Sequence, residues 1–312
     1  MKLGVPGRPV ILLPMVLALV AFILSMLARY AGHEQGFMEE YAVLRLDTSK
    51  LGHDILGKVS EENKTSGEKK KNAHGFGGDA LEKLSELTDG VKGKINEAVG
   101  HIVDKVVKKI GIKEWYSLHI TNWCEGDWSP NSTVVDAGLN ITNCSSFITD
   151  GRFDLRKIVD KEIQAGPFKI NPASITWPDT IQKKLDTLAR ALLALLNAYT
   201  VCAGLSSLAF VCSIVAFWKP DLRRIVLMNL VVSAPGFLVL FISSATVTAS
   251  ANFAVAAVND LGGVVGLSAT AGTKFYTLTW VATGFMGFVS LFWVGKYLAM
   301  RKETKRRSFN EK

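Results

Sequence analysis

Pro9–Ala28 (PVILLPMVLALVAFILSMLA) carries no charge, and about 20 such residues are enough to cross roughly 30 Å of hydrocarbon as a helix. Three further runs are apolar over a similar length: Ala191–Phe217 and Ile225–Ala251, both uncharged, and Phe275–Leu298, uncharged as far as Lys296. A chain with these runs must bury them in lipid, because a soluble core seldom needs a helix uncharged for so long. The first run could be a signal peptide, since Lys2 and Arg8 form a basic flank. It is longer than a typical signal core, however, and SMLARYAG lacks a good small-x-small cleavage site. We therefore read four spans.

Orientation follows from the basic residues beside the spans. Lys2 and Arg8 precede the first span, Lys219, Arg223 and Arg224 join the second to the third, and a basic cluster follows the fourth. The third-to-fourth connection offers only Lys274. Both termini are thus expected in the cytosol. The predicted order is a cytosolic stretch over 1–8, spans at 9–29, 191–217, 225–250 and 275–298, an outer module over 30–190 and an outer loop over 251–274. A cytosolic connection over 218–224 and a basic cytosolic tail over 299–312 complete it. Glycosylation sequons agree with this orientation, because Asn63, Asn131, Asn140 and Asn143 all fall in the outer module. One Asn-x-Ser/Thr triplet is a weak signal, but confinement of all four to one segment is a stronger one.

Within the module, EEYAVLRLDTS and WYSLHITNW read as strands, the second delivering the chain to Cys124. SEENKTSGEKKKNAHGFGG reads as a flexible connection. From Asp79 to Ile110 apolar residues recur at three-and-four spacing, as in an amphipathic helix, or a pair of helices broken around Gly90 and Gly93, that packs on the module or binds a membrane or partner. Cys124 and Cys144 bracket a short polar loop, and in a secretory compartment they are most simply a disulfide. Closing a loop of about 21 residues stabilises a module by roughly 3 kcal/mol in the chain-entropy picture. Trp123 and Trp128 are expected to cap that bond. Cys202 and Cys212 lie within the second span and are read as small apolar residues.

The sequence carries no metalloprotease, nucleophile-elbow or phosphate-loop motif. Its five histidines (His33, His53, His74, His101 and His119) do not stand at metal-ligand spacing and are read as surface groups. The span centres lack the charges that transport of polar substrates needs. Small residues at Ala18, Ala21, Ser25 and Ala28 form a close-packing face on the first span, and Thr283 and Gly287 do so on the fourth. The expected class is a membrane four-helix bundle with an extracellular α+β module containing a small antiparallel sheet. No enzyme activity, cofactor or metal is expected. Lys302, Lys305, Arg306 and Arg307 either merely set the topology of the fourth span or also attract an anionic leaflet.

Several stretches resemble a known family. GFMEEYAVLRLDTSKLG follows the first span, and KEWYSLHITNWCEGDW leads into NCSS around the cysteine pair. ITWPDTIQKKLDTLARAL precedes the second span and GTKFYTLTW enters the fourth. The plan is claudin-like, and more closely it resembles the fungal SUR-seven/PalI family. That resemblance implies a plasma-membrane protein of static cortical domains, associated with eisosomes and affecting cell wall and endocytosis. It implies membrane lipids and other cortical membrane proteins as partners, in homo- or hetero-oligomers, with neither nucleic acid nor small-molecule substrate. One branch takes part in ambient pH or stress signalling, but the long cytosolic tail expected of that branch is lacking here.

Overall fold

The computed structural model describes residues 8–50, 113–132, 134, 137–146, 179–220, 222–262 and 266–310. The segment read as an amphipathic helix and the sequon at Asn63 lie outside them. Four long helices dominate: α1 (Arg8–Tyr30), α2 (Asp179–Trp218), α3 (Arg223–Gly262) and α4 (Thr273–Asn310). Each is long and apolar enough to cross a membrane. In space α1 packs on α2, α2 on α3, α3 on α4 and α4 back on α1, which closes a four-helix bundle. At 1.5 Å per residue, the 40 residues of α2 or α3 run about 60 Å, twice the hydrocarbon thickness. The small-residue end of α3, Ala249–Val258, continues as helix without a turn.

Several polar side chains in the bundle bond to the backbone or across helices, as suits a lipid environment. Ser25 Oγ donates to Ala21 O at 2.7 Å. Asn229 Nδ2 donates to Cys212 O (3.1 Å) and Ile225 O (3.0 Å), while Ser213 Oγ reaches Asn229 Oδ1 at 3.2 Å. Ser244 and Thr283 hydroxyls meet at 3.0 Å between α3 and α4. A Cβ on Gly287 would lie 3.1 Å from the Phe237 ring, so this glycine lets α4 approach α3. Ala18, Ala21, Ser25 and Ala28 are all buried. The small face of α1 is spent inside the molecule, against its neighbouring helices.

A five-stranded antiparallel sheet sits at one end of the bundle. Its strands are β1 (Leu44–Asp47), β2 (Trp115–Leu118), β3 (Asn122–Ser129), β4 (Gly138–Ser146) and β5 (Ser268–Ala271), in spatial order β4-β3-β2-β1-β5. The apolar alternation predicted for the first two strands is present, with Leu44 opposite Leu118 and Leu46 opposite Tyr116. These four join one hydrophobic cluster with Tyr199 and Phe275 from the helices and Leu267 just before β5. Cys124 and Cys144 stand directly opposite each other on β3 and β4 and are bonded. The segment between the cysteines is therefore mostly a hairpin rather than the loop its polarity suggests.

The third-to-fourth connection also proves more than a loop, because it supplies β5 as an edge strand beside β1. An open edge invites pairing with another chain, and α3 guards this one. Asn259 Oδ1 accepts from Ala269 N at 2.7 Å, and its Nδ2 donates to Ala269 O at 3.1 Å. The side-chain amide stands where a sixth strand would. Asn259→Ala would strand both backbone groups, and leaving a buried polar group unsatisfied costs about 1–3 kcal/mol. A lower apparent Tm of the detergent-solubilised variant, with unchanged helix content, is the expected result.

Candidate functional site

Strand alternation puts Arg45, Ser117 and Cys124 in one cross-strand row on the sheet face turned away from the bundle. A segment running from Ala31 to Ala42 folds over this face. Asn122 holds it down by donating to Gly32 O (3.1 Å) and His33 O (2.8 Å), and Gln35 Nε2 reaches Ile141 O at 2.7 Å. Gly32 is required here for two reasons. Its φ is +71°, and a Cβ would lie 2.3 Å from the His119 ring. Met38 also adopts a left-handed conformation (φ 53°, ψ 40°) and opens the 3-10 turn Glu39–Tyr41. That conformation costs an L-residue about 1–2 kcal/mol, and it drops Glu39 into the sheet.

Glu39 is 5% exposed and His119 is fully buried. His119 Nε2 lies 3.1 Å from Glu39 Oε1 and 3.4 Å from Ser117 Oγ, and the Ser117 hydroxyl donates to the same carboxylate oxygen. Arg45 Nη2 donates to Glu39 O at 3.3 Å, with its guanidinium 5.8 Å from the Trp115 ring centre. Burial alone would raise the Glu39 carboxyl. The hydrogen bond and charge of His119, the Ser117 hydroxyl and the Arg45 charge outweigh it, so the Glu39 pKa falls below the ordinary carboxylate value. Burial lowers Arg45, opposed by Glu39 and Glu40. On the surface nearby, Lys274 pairs with Glu40 and lowers its pKa. An open cleft of about 750 Å³ adjoins the cluster, lined by Tyr41, Arg45, Thr270 and Lys274 among others.

The donor atoms of Glu39, His119 and Cys124 all lie within 4.8 Å of one another. The Cys124 sulfur, however, is bonded to Cys144. Glu39 and His119 are then left paired with each other, which is a clamp on the covering segment rather than a three-donor metal set. His119 corrects the reading of all five histidines as surface groups. The reading of Trp123 as a cap on the disulfide is corrected as well. Strand alternation places Trp123 on the face opposite Cys124, where it packs on Tyr116 with ring centres 6.3 Å apart, while Trp128 packs on Trp115 at 6.5 Å.

An acid test follows from the depressed Glu39 pKa. A carboxyl lowered on folding contributes stability above its unfolded value, near pH 4.3, and that contribution is lost as pH falls through the folded value. Protonation must also place a hydrogen on this carboxylate, whose second oxygen is buried and has no hydrogen-bond partner among the described residues. The apparent Tm of the solubilised protein should drop below about pH 4, and Glu39→Gln should flatten that drop. Glu39→Gln should also weaken the neutral protein by about 1.5–3 kcal/mol, the range for hydrogen bonds to a charged group.

The remaining expected site residues divide by location. Asn140 and Asn143 are exposed on β4, and Asn131 is exposed just beyond β3. Lys302, Lys305, Arg306 and Arg307 fall on the last turns of α4, which stays helical to Asn310. Cys202 is buried and Cys212 half-buried, both as free thiols.

A closed bundle of four membrane-length helices, crowned by a disulfide-bearing antiparallel sheet, defines a four-span membrane protein with a folded, sheet-bearing domain at one end. The chain belongs to the SUR7/PalI family, whose family model matches residues 10–292. No curated protein and no solved structure matches it significantly.

Proposed function

We propose that this protein is a non-enzymatic organiser of static domains of the plasma membrane, of the eisosome-associated kind, with effects on cell wall and endocytosis. The carrying observation is that sheet and bundle share one core: Leu44, Leu46, Tyr116 and Leu118 pack in a single cluster with Tyr199 and Phe275. An outer module joined in this way moves with its spans, as a fixed scaffold requires. Family membership supports the same reading. Both termini lie in the cytosol and the sheet lies outside. Membrane lipids and neighbouring cortical membrane proteins are the partners. The basic end of α4 adds attraction to an anionic inner leaflet, where each Lys or Arg contributes about 1 kcal/mol. Imaging a tagged copy in living cells is the test. Discrete peripheral patches are expected, and uniform surface staining would count against the organiser reading.

A further inference from the structure

We propose that N-glycans on Asn140 and Asn143 close the β4 edge of the sheet against strand pairing with a second copy of this chain. The inference rests on the outward-facing reading of the module.

The two sheet edges differ in kind. β5 has four residues, and Asn259 covers its outer backbone groups at Ala269. β4 has nine residues, Gly138–Ser146, and is the outermost strand on its side among the described residues. Edge strands that stay monomeric usually carry Lys, Pro or another charge. GLNITNCSS contains none of these. It contains two of the four sequons in the chain instead, Asn140-Ile141-Thr142 and Asn143-Cys144-Ser145.

The geometry permits modification of both. Ile141 and Cys144 point toward the covering segment and the disulfide, as shown by the 3.9 Å approach of a Cβ on Gly36 to Ile141 Cδ1. Asn140 pairs with Asp127 and Asn143 with Glu125, on the opposite face, with an irregularity in register between them. That irregularity places Thr142 as an extra residue, so the two asparagines share one face although three apart. Both side chains are exposed, so a glycan displaces no packed atom. An added strand would have to lie about 4.8 Å from β4, within the space that a bulky, hydrated N-glycan sweeps.

The test uses the full chain purified in detergent from a host that glycosylates secretory proteins. Peptide mapping reports which of Asn63, Asn131, Asn140 and Asn143 are modified, and light scattering after gel filtration reports the protein mass of the particle. Stripping the folded protein with an endoglycosidase should at least double that mass relative to the untreated protein. The Thr142→Ala, Ser145→Ala variant, which keeps both asparagines but destroys both sequons, should do the same. The Asn140→Lys, Asn143→Lys variant lacks the glycans but restores charge to the strand, and it should keep the mass of the untreated protein. An unchanged mass after stripping would overturn the proposal, as would bare Asn140 and Asn143 beside a modified Asn131 or Asn63. Absence of glycan from all four sites would instead overturn the orientation on which the proposal stands.

Discussion

Gly272→Ala should leave the protein retained in the secretory pathway, with little or none reaching the cell surface. Gly272 joins β5 to α4 and donates its N–H to Val43 O at 3.1 Å. A Cβ there would lie 1.7 Å from Ala42 O and 3.0 Å from Val43 O. Both obstacles are backbone, so no rotamer change relieves them. Relief requires β1 and β5 to part, which releases the pairing of Leu44 with Ala271 and of Leu46 with Ala269. Losses above about 4 kcal/mol arise from clashes of this kind, and marginal membrane-protein folding does not absorb them. Gly204→Ala is the matched control, because a Cβ at Gly204 meets nothing within 4 Å. Surface labelling should fall severalfold for the first variant and stay unchanged for the second.

Ala18→Leu combined with Ala21→Leu should lower the apparent Tm steeply. Both alanines are fully buried, and α1 packs there against α2 and α4. Overpacking a filled core costs about 1–3 kcal/mol per site, so the pair should cost about 2–6 kcal/mol. Leu13→Ala, at a residue that is 61% exposed, should change stability by no more than about 0.5 kcal/mol. These substitutions also bear on how patches form. The α1 face that looks suited to lateral association is already occupied, so dispersal of patches by Leu at these positions would report a damaged bundle and not a lost contact between molecules.

The spans were legible because lipid imposes a rule that each run obeys by itself, in the absence of charge over a bilayer's thickness. Leu44–Asp47 and Trp115–Leu118 were legible as strands because their alternation is strong and local. β4 was hidden by composition: Gly138, Asn140 and Asn143 are poor strand formers, and the strand exists because Cys144 is tied opposite Cys124 and because β3 is already in place. β5, of sequence SATA, has no pattern of its own and depends on β1, more than 200 residues away in the chain. The Glu39–His119 pair spans 80 residues and could not be read from either partner's neighbourhood. Its one local signal is the placement of Ser117 and His119 at alternate positions among buried Tyr116, Leu118 and Ile120. A strand buried on both faces must give such polar groups a partner.

Photobleaching recovery of a tagged copy in living cells tests the proposed organiser role most directly. The protein should sit in peripheral patches that recover little over minutes, equally at acidic and alkaline external pH, because the proposed organiser role places its sheet-on-bundle body in a fixed assembly. Fast recovery, or patches that dissolve only when the external pH is raised, would contradict it and favour a signalling role.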